Sequence, residues 1–146
     1  MTSVDKLRLG DVAVGSTVTG RSMTIGEGQV ITFAGLTGDF YPLHTDEEFA
    51  KTTPFGRRIA HGLLTFVVGA GFLANELAGW DVIAALGFGE TKFTAPVFFG
   101  DTITPRATVT DMAPKEGRGV VALDITITNQ SGDVVVTSSM KVMVRA

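Results

Sequence analysis

His44 and His61 are the only two imidazoles in the chain, and both lie in its least periodic stretch, residues 38–62. An imidazole is the usual side chain for moving a proton near neutral pH. His44 follows Asp39 by five positions, with Pro42 between them. A turn at that proline can bring carboxylate and imidazole within a few ångströms, close enough to share or orient one proton. The same residues also describe a Gly-Asp turn followed by a histidine just ahead of a helix. Spacing alone leaves both readings open.

His61-Gly62 stands at the head of a long apolar run. The first N–H groups of a helix have no partner inside the helix and carry partial positive charge, so they suit an anion or a developing oxyanion. Gly62 has no Cβ to hold a ligand oxygen away from that backbone. A glycine that merely starts a helix, beside a histidine satisfied at the core boundary, fits the spacing too. Other chemistries lack their residues: there is no G-x-S-x-G, no G-x-G-x-x-G with a dinucleotide-binding pattern and no H-E-x-x-H. The histidines and scattered acids show no metal-ligand spacing, so neither a metal nor a cofactor is expected. Asp46-Glu47-Glu48 reads as charge at a helix start, Arg57-Arg58 as a solvated pair, and Gly87-Phe88-Gly89 as a strand bulge rather than a phosphate loop.

The elements that must position these residues change character along the chain. Residues 11–24 are rich in Val and Thr and suggest one short strand, weakened at Gly15 and Gly20. From Glu27 to Thr37 the apolar positions suit an amphipathic helix, with Gly38 placed for a left-handed cap. Pro42 forbids a continuous helix over Asp39–His44 and drives Tyr41 towards an extended backbone. Thr45, with Glu48 three positions later, has the form of a capping box for a short helix through Phe49 and Ala50. The run from Gly62 to about Ala78 is apolar almost all round, which predicts a buried helix, with Gly69, Ala70, Gly71 and Ala74 as surfaces for close approach. A buried strand over Phe66–Phe72 is the alternative. Beyond Trp80 the period becomes two, and Val82–Ala95, Asp101–Met112, Arg118–Asn129 and Val134–Arg145 are strand candidates. Such alternation belongs to antiparallel strands with one wet face. The expected product is an α+β layer arrangement, an antiparallel sheet wrapped over the apolar helix.

Composition sets the outer limits. The chain has 146 residues, which fits a single domain over residues 1–146 and is long enough for a core without staples. It has no cysteine, which excludes disulfides, thiolate zinc, iron–sulfur clusters and a Cys nucleophile. A net charge of −3 argues against broad binding to a phosphate backbone, so no nucleic-acid partner is expected. The most apolar stretch, Leu63–Ala74, spans about a dozen residues, whereas a membrane helix needs about 20. The opening MTSVDKLRLG has no apolar targeting region, and a cytoplasmic protein away from the membrane is expected. Apolar residues make up 45% of the chain, enough to suggest that another subunit covers part of the surface.

The run from Phe33 to Asp46 (FAGLTGDFYPLHTD), then Phe55-Gly56 and Ile59-Ala60-His61-Gly62-Leu63, resembles the hydratase signature of the MaoC-like family, which includes the R-specific enoyl-CoA hydratases. Phe93–Ile103 resembles the family's segment leading into its next strand. The two motifs, G-D-x-x-P-x-H and A-H-G, recur at the expected separation. The resemblance implies a hot-dog fold, a long central helix wrapped by an antiparallel sheet, and a homodimer or dimer of dimers. It implies an acyl-CoA substrate and reversible hydration of a trans-2-enoyl thioester, with Asp39 and His44 as the catalytic pair. Gly62 is then the N–H donor to the thioester carbonyl. Tyr41, Pro42, His61 and Leu63 are expected around the substrate, His61 chiefly as a structural neighbour. Lys51, Arg57, Arg58, Lys92 and Arg106 are candidates for the CoA phosphates.

Two positions depart from the pattern. Tyr41 stands where many relatives have Asn, and a phenol there would narrow the pocket or touch a polar acyl group. Ala70 stands at the place assigned to a helix serine of some hydratases. Two other readings share the fold: a thioesterase, for which Glu76 is the only acid in the central helix, and a silent acyl-CoA-binding subunit, which the presence of Asp39 and His44 argues against.

Overall fold

In the computed structural model, which describes residues 5–146, a 3-10 turn at Leu9–Asp11 precedes the regular elements. They follow in chain order as β1 (Thr17–Thr19), β2 (Met23–Thr24), α1 (Glu27–Thr37), α2 (Pro42–Thr45), α3 (Glu47–Lys51), α4 (Gly62–Leu77), β3 (Val82–Phe88), β4 (Lys92–Phe93), β5 (Thr102–Lys115), β6 (Arg118–Thr128) and β7 (Val134–Arg145). The strands form one antiparallel sheet in the order β1-β5-β6-β7-β3, with β2 added to β5 and β4 to β7. The expected alternation sets its faces. Ile103, Ala107 and Val109 on β5, Leu123, Ile125 and Ile127 on β6, and Val142 and Val144 on β7 are all buried. Each of the Val, Leu and Ile side chains among them contributes roughly 1.5–3 kcal/mol by leaving water.

The central helix α4 lies on that apolar face. Leu64, Leu73 and Leu77 join the core, and Gly69 sits so close to the sheet that a Cβ there would strike Ile127 Cδ1. The helix reading of Gly62–Ala78 holds, but α4 is not buried all round. Leu63 and Val67 are 54% and 46% exposed, and Gly71 and Ala74 lie on the same open side. The sheet covers one face of the helix and leaves an apolar stripe along the other.

Three boundaries differ from expectation. The strand expected over residues 11–24 is broken into β1 and β2, because the chain runs tightly past Gly20, where a Cβ would lie 2.9 Å from Pro105 Cγ and 3.0 Å from Phe72 Cβ. The strand expected over Val82–Ala95 divides into β3 and β4, and its ladder slips between Ala85 and Gly87, where Gly87 has φ +150°. This is the predicted bulge. Thr45 is not the cap of α3. It ends α2 instead, and Asp46 takes the cap, its carboxylate accepting the Phe49 N–H at 3.0 Å. Among the described residues no helix is long and apolar enough to cross a membrane.

Candidate active site

The segment carrying Asp39 and His44 is shaped by local chemistry. α1 stops at Gly38, whose φ of +80° lets its N–H reach the Ala34 carbonyl at 2.8 Å. Asp39 then turns the chain, its Oδ1 accepting the Tyr41 N–H at 3.2 Å. Tyr41 is extended, with φ −54° and ψ 133°, and Pro42 occupies the first position of α2, where its missing N–H is harmless. His44 therefore sits on one short helical turn.

Residues 59–61 clamp this turn from the side. Ile59 N–H donates to the Leu43 carbonyl at 3.3 Å, His44 Nδ1 meets the Ile59 carbonyl at 2.8 Å, and His61 Nε2 meets the Asp39 carbonyl at 2.9 Å. The clamp is tied to the sheet side by Ala60 N–H to the Val97 carbonyl, 2.8 Å, and by the Ile59–Phe98 bridge. Arg58 adds a further tie, donating to Glu27 at the start of α1 and Glu47 at the start of α3 while lying over the Phe99 ring.

These bonds assign the tautomers. A carbonyl oxygen can only accept, so His44 carries its proton on Nδ1 and keeps the Nε2 lone pair. By the same argument His61 is protonated on Nε2, and its Nδ1 is buried without a partner. Burial pushes the His44 pKa below the ordinary histidine value; the bond to the Ile59 carbonyl opposes this, the His61 ring adds to it, and the Asp39 carboxylate opposes it. His44 is thus a neutral imidazole near pH 7 with a lone pair to offer. Donor atoms of Asp39, His44 and His61 all lie within 4.8 Å of one another. Two hydrogen bonds of about 2.8 Å meeting at a tetrahedral water span about 4.6 Å. The Asp39 carboxylate and the nearer His44 ring nitrogen are thus no farther apart than about the span of one water.

The three residues also have the composition of a metal-ligand set, which their sequence spacing did not suggest. One nitrogen of each imidazole is committed to a backbone carbonyl, and the rings face each other 3.9 Å apart at 27°. That is a stacked pair rather than two ligands converging edge-on.

Beside His44 opens a cavity of about 360 Å³, walled by Phe55, Ile59, Phe93, Val135 and Val136 and reaching Gly62 at the head of α4. The Phe93 ring lies over Gly62, so close that a Cβ there would sit 2.5 Å from the Phe93 Cγ. Expected residues sort themselves around this space. Asp39, His44, His61 and Gly62 come together as the motifs required. Tyr41, Pro42 and Leu63 are not part of the wall. Tyr41 is 56% exposed and packs edge-on to His44 and Phe49, because its extended backbone turns the phenol towards α3. Leu63 belongs to the open stripe of α4. His61 is only 2% exposed and serves the loop rather than the cavity. Glu76 is exposed and stands about 20 Å along α4 from Gly62, out of reach of the cavity.

One polar residue of the wall was missed. Thr65, one turn into α4, is 1% exposed, and its hydroxyl has no partner. A threonine inside an apolar helical run gives no signal in sequence; Ala70, the helix position singled out by the resemblance, does not reach the cavity. The basic candidates separate too. Lys51 pairs with Glu48, Lys92 with Glu90 and Arg58 with two glutamates, while Arg106 is on the β5 face opposite the buried Ala107. Arg57 has no carboxylate partner among the described residues and rests on Phe98, its guanidinium carbon 4.0 Å from the ring centroid.

A family described as MaoC like domain matches residues 11–130. The chain is similar to the (R)-specific enoyl-CoA hydratase of Rhodospirillum rubrum, with 37% identity over 84% of this chain and 82% of that one. It is similar to an Archaeoglobus structure described as a monoamine oxidase regulatory protein, with a TM-score of 0.90 and 36% identity over 96% of this chain and 95% of that one. It is also similar to the (R)-hydratase of Aeromonas caviae, with a TM-score of 0.78 and 37% identity over 90% of this chain and 96% of that one. The fold is the expected hot-dog fold.

Proposed function

The chain belongs to the MaoC-like domain family, and from that premise we propose that it hydrates trans-2-enoyl-CoA to 3-hydroxyacyl-CoA, with Asp39 and His44 as its catalytic pair. The observation that carries this reading is the short separation of the Asp39 carboxylate and the His44 ring beside an apolar cavity that ends on a helix N-terminus. In this reading a water lies between the carboxylate and His44 Nε2. His44 takes a proton as the water oxygen bonds to C3. The electron pair of the C2–C3 double bond moves towards the thioester carbonyl, and the enolate oxygen is held by the Gly62 N–H. The pair then returns a proton to C2. Water has been added and no redox partner is needed. The R configuration of the product is proposed from the similarity to the (R)-specific hydratases of Rhodospirillum rubrum and Aeromonas caviae.

The carrier is coenzyme A in the same proposal, with Arg57 as the phosphate contact, since it alone of the basic candidates near the cavity is not engaged by a carboxylate. The same proposal keeps the cytoplasm as the compartment of the reaction. The working unit is a homodimer. Two features support it: the open stripe of Leu63, Val67, Gly71 and Ala74 on α4, and the outer edge of β3, which has no pairing strand among the described residues and carries exposed Ile83, Leu86 and Phe88. Apolar surface of this extent is a usual mark of an interface.

The test is the loss of ultraviolet absorbance of the enoyl-thioester conjugation, with crotonyl-CoA and longer trans-2-enoyl-CoA substrates. The wild type is expected to turn over at least one of them. D39A and H44A are each expected to fall about 10²–10⁴-fold, the usual worth of an acid–base group. A wild type inert towards the whole series, or variants that keep its rate, would overturn the proposal.

A further inference from the structure

The hydroxyl of Thr65 is the unexplained polar atom of the cavity. A buried hydroxyl without a partner is destabilising, and such groups in folded proteins are rare. Two buried side-chain polar atoms lack a partner among the described residues, Thr65 Oγ1 in the wall of the cavity and His61 Nδ1 at the head of α4. Within a helix the ordinary outlet for a threonine hydroxyl is the carbonyl four residues back. That carbonyl, on His61, takes the Thr65 N–H at 3.2 Å, and the hydroxyl makes no bond to it.

Direction along the helix says what the hydroxyl can serve. Helical side chains lean towards the N-terminus and cover the preceding turn. The side chain at 65 therefore leans over the turn that begins with Gly62, and Thr65 and Gly62 wall the same cavity. Threonine in a helix has two accessible χ1 wells. A step of about 120° between them re-aims the hydroxyl while the methyl moves to a third direction, so the O–H can turn towards the cavity with the α4 backbone in place. Apart from His44 and Thr94, whose hydroxyl is spent on the Val134 carbonyl at 2.7 Å, the rest of the wall is apolar, with Phe55, Phe93, Val135 and Val136 its largest members. A ligand oxygen drawn to the Gly62 N–H would find one further donor within a helical turn.

We propose that Thr65 is that donor. Its hydroxyl bonds to the thioester carbonyl oxygen beside the Gly62 N–H, so that the developing enolate meets two donors rather than one. This rests on the hydratase reading and adds a catalytic residue to it. The hydroxyl donates and loses no proton, so it leaves the acid–base cycle of Asp39 and His44 unchanged.

The test pairs two ligands that differ only at the carbonyl: butyryl-CoA, a thioester, and S-butyl-CoA, the thioether that lacks the oxygen. Binding of each is measured by calorimetry to wild type, T65V and T65S, with crotonyl-CoA turnover alongside. T65V keeps the shape of threonine and removes the donor. It is expected to bind the thioester about five- to tenfold more weakly, the worth of one neutral hydrogen bond, and to bind the thioether as the wild type does. Its kcat is expected to fall about 10²-fold with the pH profile unmoved, and T65S is expected to recover most of both losses. Equal weakening towards the two ligands would mean that the hydroxyl only packs or serves His61 Nδ1, and would overturn the proposal. So would unchanged kcat in T65V. Should T65V not fold, T65S and T65A carry the same comparison. Failure of the hydratase reading itself is a separate result, seen as a wild type that turns over no enoyl thioester.

Discussion

The imidazoles of His44 and His61 lie face to face, their centroids 3.9 Å apart and their planes 27° from parallel. One ring carries the proposed base; the other is almost wholly buried and edge-on to Phe33 at 4.9 Å. His61 thus fixes His44 by stacking and fixes Asp39 by its Nε2–H bond to the Asp39 carbonyl.

His61 is therefore a positioning residue, and its two contacts can be separated. H61F keeps a ring against His44 and loses the bond to Asp39. Its kcat is expected to fall about tenfold, in line with one lost hydrogen bond. H61A loses the stack as well and should fall further, with a lowered Tm. Steady-state kinetics and thermal unfolding of both variants check this. Wild-type kcat in H61F would remove His61 from the mechanism.

The pH dependence follows from the lowered His44 pKa, caused first by burial. The base works as neutral imidazole, so kcat/KM should be flat through neutrality and fall on an acid limb lying below about pH 6.5, the ordinary histidine value. The His61 ring contributes to the lowering, so H61F should move that limb to higher pH. Stability carries the same sign. Between the folded pKa and the unfolded value the unfolded chain binds more protons, so stability rises with pH across that window. The His44 contribution is whole above about pH 6.5 and is lost as pH falls through the folded value. H44Q should flatten this part of the Tm-against-pH curve.

Gly62 is irreplaceable for a steric reason. The Phe93 Cγ, Cδ1 and Cδ2 atoms lie 2.5–2.7 Å from where its Cβ would be, and Cγ is held close to the backbone of β4. G62A should cost about 1–3 kcal/mol of stability as the ring is forced aside. Adding F93A removes the obstacle, so the double variant should be less destabilised than the sum of the two single changes. Chemical denaturation of the four proteins gives the coupling. Strict additivity would show that Phe93 does not press on Gly62.

The open stripe of α4 predicts association. V67E places a charge at the middle of the proposed interface, where Val67 is half exposed in the single chain. Sedimentation should find the wild type as a dimer and V67E shifted to monomer with its α-helical circular dichroism retained. A wild type that sediments as a monomer would refute the homodimer.

The long elements were legible because their signals are local and repeated. Strand β7 matches its expected bounds from Val134 to Arg145, and α1 does so from Glu27 to Thr37, closed by Gly38 as its glycine suggested. The two motifs were legible as a site only through a resemblance, since the spacing of Asp39 and His44 is also that of an ordinary turn. What sequence did not show depends on contacts far along the chain. The break at Gly20 is set by Phe72 and Pro105, and the cap moved from Thr45 to Asp46 because Pro42 starts a helical turn of its own. The Thr65 hydroxyl was invisible because only the folded wall shows that nothing answers it.

Strands β5, β6 and β7 succeed one another as hairpins, so the middle of the sheet is made by pairings that close short loops. The segment bearing Asp39 and His44 is held otherwise, by three hydrogen bonds from residues 59–61 that join parts of the chain 15 to 22 positions apart. Its own residues give the interior little; Ala50 is the sole fully buried side chain between Asp39 and Arg58. Segments of this kind open well below the free energy of global unfolding. Catalytic competence should accordingly vanish at a lower urea concentration than the sheet, with amide hydrogens of residues 39–46 exchanging through a local opening while those of β6 wait for the whole domain to unfold.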